Sequence, residues 1–129
     1  MEQTPNNFSL ATPLEKAHEM ASILYEKQGF DLELYHVEGA TVICDYVLLV
    51  TGRSSTHVKA LAEELEYEMD RRSVPVTRVE GRAGAAWVLL DYGTVIVHVF
   101  DRTARDYYRL DRLYAPETRV PLPTDTKED

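Results

Sequence analysis

Apolar residues recur at two different spacings along this chain, and the switch from one spacing to the other predicts its elements. Leu14, Ala17, Ala21 and Leu24 fall on one face at helical period. Thr12 ahead of them is a capping side chain, Pro13 suits the first helical position, and Glu15 stands where a capping-box carboxylate belongs. A helix to about Gln28 is therefore expected, ended by Gly29 in the left-handed conformation. Strands over Leu32–Val37 and Cys44–Val50 follow, the second an unbroken apolar run that suits a central strand covered on both faces. The short polar residues Thr51–Ser55 form a turn, with Ser54 or Ser55 capping a second helix to about Arg71. Val58, Leu61, Ala62, Leu65 and Met69 are its buried stripe. After a break at Ser73–Pro75 come three strands, Val76–Glu80, Ala86–Leu90 and Thr94–Phe100, the last two joined by the hairpin-length Asp91-Tyr92-Gly93. A third helix is expected over Arg102–Tyr114.

That order describes an α/β single domain: a mixed β-sheet of about five strands flanked by helices, mixed because its terminal hairpin must be antiparallel. At 129 residues the chain has the size of one core rather than two. The domain spans 12–115, with residues 1–11 as a flexible lead. Residues 116–129, where Pro116, Pro121 and Pro123 are spaced by acidic and polar residues, read as a flexible tail. No internal repeat is visible.

Composition narrows the setting. The one cysteine, Cys44, lies beside Ile43 and has no intrachain partner, which suits a small core residue in a reducing, cytosolic compartment. The first sixteen residues have neither the basic start and apolar core of a signal peptide nor the Arg-rich character of a transit peptide, and no apolar run is long enough for a bilayer. A net charge of −8 disfavours sequence-specific contact with nucleic acid. It is also uneven: residues 1–70 hold 13 acids and 4 bases, residues 71–129 hold 9 acids and 10 bases. Such an acidic half suits a basic protein partner, and it equally suits ordinary solvated helix surface.

Two kinds of chemistry are worth testing against the residues. Gly52-Arg53-Ser54 lies between a strand and a helix N-terminus, where amides and the helix dipole can hold a phosphate. Nucleotide transfer further requires paired carboxylates to hold divalent metals. Here the chain runs on into a helix, and Glu63, Glu64, Glu66 and Glu68 are spaced as surface residues. His57, His98, Asp45, Glu80 and Asp91 match no metal signature, and His98 shares a strand face with Ile96 and Phe100 as a structural histidine would. Neither a catalytic group, a metal site nor a cofactor site is therefore expected. Trp87 stands apart: near a strand end it can pack in the core or anchor an interface, with Asp91, Tyr92 and Gly93 as turn or as rim.

Read in order, DYVLLVTGRSSTHV from Asp45, VEG at Val79–Gly81, AWVLLDYGTVIVHVF from Ala86 and TARDYYRL from Thr103 resemble the ribosomal silencing factor family, also called the Iojap family. The resemblance implies a nucleotidyltransferase-like core used without catalysis. It implies a cytoplasmic protein that docks on large-subunit ribosomal protein fourteen, blocks association of the two subunits sterically, and represses translation when nutrients are scarce. Carried over residue by residue, the docking set is Glu80, Gly81, Trp87, Asp91, Tyr92, Gly93, His98, Arg105, Tyr108 and Leu110, of which Glu80, Gly81 and His98 serve equally well as structural residues.

The chain departs from the family pattern at Thr94, where an acidic residue is common, and at Tyr114, where the last helix often ends in tryptophan and where tyrosine is expected to keep most of the packing. Family members tend to form homodimers, for which Ile23, Tyr25 and Tyr107 are candidate contact residues or ordinary exposed apolar ones. Two other readings stay open: a nucleotidyltransferase-like enzyme using Gly52–Ser55, and a dimeric adaptor.

Overall fold

The computed structural model describes residues 7–37, 44–81, 84 and 86–123. Helix α1 (Pro13–Glu26) begins as its sequence dictates: Thr12 Oγ1 accepts from the Glu15 amide and the Glu15 carboxylate accepts from the Thr12 amide, a complete capping box. Its end differs from expectation. The left-handed residue is Gln28, at φ 74°, and Gly29 has a different task. A Cβ at Gly29 would stand 2.6 Å from Val50 Cγ2 and 3.1 Å from the Leu24 carbonyl oxygen, so glycine lets the chain turn against the sheet.

The strands are β1 (Phe30–His36), β2 (Tyr46–Gly52), β3 (Arg78–Glu80), β4 (Trp87–Asp91), β5 (Val95–Asp101) and β6 (Arg119–Val120). They form one mixed six-stranded sheet in the order β3-β4-β5-β2-β1-β6. Among the described residues only the β2–β5 pairing is parallel; β1–β2, β1–β6, β3–β4 and β4–β5 are antiparallel. Helix α2 (Ser55–Arg71) carries the chain away from β2, and its Ser54 cap accepts from the His57 amide. Gly52 allows α2 to pack closely, because a Cβ there would meet Val58 Cγ2 at 3.0 Å.

The sixth strand corrects the expected tail. Arg119 and Val120 pair with Tyr35 and Leu34, and Leu122 is 2% exposed within the main core. Residues 116–123 are thus part of the domain, held by apolar burial that an isolated leucine among prolines did not signal. Phe8 likewise packs on the core, and its amide donates to the Arg72 carbonyl oxygen, so the ordered chain begins ahead of residue 12. Residues 1–6 of the expected lead and 124–129 of the expected tail lie outside the described residues.

The third helix is also shorter than expected. Helix α3 (Arg102–Tyr108) stops at Arg109, whose φ of 50° is left-handed, and a 3-10 turn follows over Leu110–Leu113. That break returns Leu110 and Tyr114 to the sheet, where Tyr114 stacks on Tyr35 with ring centres 5.0 Å apart. Tyr114 keeps the packing foreseen for it.

Strand alternation sorts these residues into two cores. Helices α1 and α2 cover the side of Leu34, Leu48, Val50, Val88, Leu90, Val95, Val97 and Val99. The smaller second core, on the opposite face, joins Tyr35, Val47, Leu49 and Phe100 to Ala104 of α3. Because α3 packs on β2 and β5, the side chains that β4 turns to that face stay half-buried.

Candidate protein-docking face

Antiparallel pairing of β4 and β5 sets Trp87 beside Phe100, Leu89 beside His98 and Asp91 beside Ile96. Period-two geometry puts all six on the sheet face away from α1 and α2. Trp87, Leu89, Asp91, Ile96 and His98 are all half-buried there, whereas Val88 and Leu90 between them are completely buried on the other side. The result is a shallow apolar strip on rigid strands, edged by Arg78 and Glu80 of β3, which pair with each other at 2.5 Å. Leu89 and Ile96 were not singled out from the sequence, although the alternation through Trp87, Leu89 and Asp91 carried the signal.

The indole at one end of this strip is fixed in place. Trp87 Nε1 donates to His98 Nδ1 at 3.0 Å, and the ring lies 4.6 Å from that of Tyr108 and 5.9 Å from that of Phe100. Since Nδ1 accepts, His98 is neutral with its proton on Nε2. Burial holds its pKa down, from 6.5 to about 4, so the acceptor persists at neutral pH. Tyr108 is 51% exposed and Tyr107 beside it 78%, extending the aromatic surface from the sheet onto α3.

Other expected docking residues do something else. Arg105 is 5% exposed; it donates to the Thr51 hydroxyl at 2.7 Å and to the Asp31 carbonyl oxygen, and pairs with Glu33 at 3.0 Å, with Phe100 beneath it. It clamps α3 to β1 and β2 and reaches no surface. Tyr92 turns to the α1/α2 side, where it is 9% exposed in the main core. Asp91 accepts from the Gly93 amide at 2.8 Å, and Gly93 has φ 86° with open space around it, so both are turn-makers first. Gly81 is structural: a Cβ there would stand 2.1 Å from the Trp87 carbonyl oxygen. Of the residues suggested for a dimer contact, Ile23 is 4% exposed in the core, while Tyr25 and Tyr107 do reach the surface.

At the alternative site, Gly52–Ser55, a side chain of the protein takes up one backbone amide. The Arg53 amide donates to His57 Nδ1 at 2.9 Å, and His57 Nε2 donates to the Lys27 carbonyl oxygen at 3.0 Å. The Arg53 amide is therefore engaged within the turn, and the His57 ring ties the turn to the end of α1. Among the described residues no group of three His, Cys, Asp or Glu side chains is placed to hold a metal, and no helix is long and apolar enough to cross a membrane.

Residues 10–129 match the family model described as ribosomal silencing factor during starvation. The ribosomal silencing factor RsfS of Bacillus subtilis is 37% identical over 89 residues, covering 69% of this chain and 75% of that protein. A mouse protein named for mitochondrial assembly of the ribosomal large subunit is 24% identical over 74% of this chain and 43% of its own. A crystal structure from Chromobacterium violaceum superposes with a TM-score of 0.77 at 28% identity, covering 87% of this chain and 96% of the other.

Proposed function

The chain belongs to the ribosomal silencing factor family, and from that premise we propose that it binds the large ribosomal subunit through the Trp87 face and keeps the small subunit from joining. The partner is large-subunit ribosomal protein fourteen, met in the cytosol; the outcome is lowered translation under nutrient limitation. Bulk placed at the subunit interface suffices, and no bond is made or broken.

The observation that carries this reading is the bonded indole. Tryptophan held by neighbours in a partly exposed apolar strip is the type of side chain that dominates interface energetics, because little conformational freedom is lost on docking. Trp87 meets that description through its bond to His98 and its contact with Tyr108. Leu89 and Ile96 supply surrounding apolar area, and Arg78, Glu80 and Asp91 a polar rim. A homodimer is compatible with exposed Tyr25 and Tyr107.

Sedimentation through sucrose gradients tests the proposal. Wild-type protein is expected to travel with isolated large subunits and to reduce joined ribosomes when small subunits are added. A folded Trp87→Ala variant should do neither, at a loss of about 2 kcal/mol or more in binding. If wild-type protein stays at the top of the gradient and leaves joining unchanged, the reading is wrong.

A further inference from the structure

Trp87 and His98 together leave one hydrogen-bond donor on the docking face uncommitted. The indole nitrogen can only donate, so its 3.0 Å bond to His98 Nδ1 fixes the tautomer and puts the imidazole proton on Nε2. The two ring nitrogens point apart, which turns Nε2–H away from the indole. No group among the described residues accepts from it, and water reaches it. His98 is therefore engaged on one side and open on the other.

The surroundings make that donor stand out. Leu89 lies across from His98 on β4, and Ile96 precedes it on the same face of β5. The polar groups of the rim are bonded to one another: Arg78 pairs with Glu80 and Asp91, and Asp91 also accepts from the Gly93 amide. A partner that covers this face takes water away from Nε2–H, and a donor left dry without an acceptor weakens the complex. The covering surface must bring an acceptor of its own. Its charge is constrained too, because Arg78 stands against two carboxylates and the rim keeps an excess of one negative charge. A phosphate or a carboxylate is repelled there, and a neutral oxygen is not.

We infer that His98 Nε2–H donates to a carbonyl oxygen of the docked protein, which makes this histidine a specificity-determining contact as well as the support of Trp87. The inference rests on the ribosomal reading for the identity of the partner. One directional bond set beside Leu89 and Ile96 fixes how the partner lies on the strip, whereas apolar contact alone has no preferred direction. A surface of matching apolar shape with no acceptor at that point is rejected.

Binding of the full chain to purified ribosomal protein fourteen, and to isolated large subunits by pelleting, tests the inference. His98→Asn places an amide oxygen where Nδ1 stood, so the indole keeps its acceptor while the donor is gone. Affinity should fall about tenfold for both targets. Fluorescence of Trp87, the one tryptophan of the chain, should match wild type in the folded variant. A second measurement needs no variant: spectra of the isotopically labelled imidazole should show the proton on Nε2, exchanging with water in the free chain and protected in the complex with ribosomal protein fourteen. A proton on Nδ1, unchanged exchange in that complex, or an affinity within about twofold of wild type in folded His98→Asn overturns the inference and leaves docking through Trp87 standing. A loss seen with whole subunits and not with the purified protein places an RNA acceptor at His98 and overturns the assignment to a protein carbonyl. Failure of the wild-type chain to bind either target overturns the docking reading, and the inference falls with it.

Discussion

Replacing Arg105 by alanine should unfold this domain more readily, and the expected size follows from what the guanidinium touches. It bonds to Thr51 Oγ1 and the Asp31 carbonyl oxygen and pairs with Glu33, while only 5% exposed. Removing one member of a buried ion pair costs about 3–5 kcal/mol, because the remaining charge keeps its desolvation penalty. The Glu33 side chain is 24% exposed and water reaches it, which sets the figure near the low end, about 3 kcal/mol. With a urea slope of about 2 kcal/mol per molar, the unfolding midpoint should fall by about 1.5 M. Tyr108→Ala is the matched control, since that ring is 51% exposed and loses mainly its contact with Trp87, worth about 1 kcal/mol. Arg105→Ala should thus act on stability and Tyr108→Ala on large-subunit binding. If Arg105→Ala stays within about 0.5 kcal/mol of wild type while binding is lost, the arginine is a contact residue and its structural assignment fails.

Three further outcomes are expected. His98 has a folded pKa of about 4 against 6.5 ordinarily, so the unfolded chain binds the proton more tightly; its contribution is complete above pH 6.5 and is lost as pH falls toward 4, by up to about 3 kcal/mol. Urea melts across that range check the slope, and His98→Asn should remove it. Gly81→Ala combines a φ of 86° with a Cβ 2.1 Å from the Trp87 carbonyl oxygen, and calorimetry should show a loss of at least about 2 kcal/mol. Leu122→Ala should lower stability by about 2–3 kcal/mol in denaturant melts, against about zero for a residue in a flexible tail.

Much of the scaffold was legible because local signals agreed with the tertiary outcome. The Thr12–Glu15 box, the Val58-to-Met69 stripe and the unbroken β2 run each had one interpretation. What escaped depended on contacts distant in sequence. A strand of two residues gives no periodicity, so β6 is explained only by the edge of β1 that it meets. The break at Arg109 follows from the need to seat Tyr114 on Tyr35, a contact formed across the chain. In the candidate site, alternation already separated Tyr92 from Asp91, and following it strictly places the two on opposite faces. Arg105 could not be placed from sequence, since an arginine in a surface-patterned helix gives no sign that a hydroxyl, a carbonyl and a carboxylate converge on it.

The two arginines beside β1 have an effect beyond packing. A seven-residue strand near the margin of a sheet is a template on which another chain can lengthen the sheet, the usual start of misassembly. Here β6 covers β1 only at Leu34 and Tyr35, yet Arg105 occupies the Asp31 carbonyl and Arg119 reaches the Leu32 carbonyl at 3.5 Å. At the opposite margin β3 is only three residues long. Open backbone is therefore scarce at both margins, which favours recognition of a partner through side chains on the faces over the growth of sheet upon sheet. A second copy of the chain is thereby left little strand edge on which to extend the sheet.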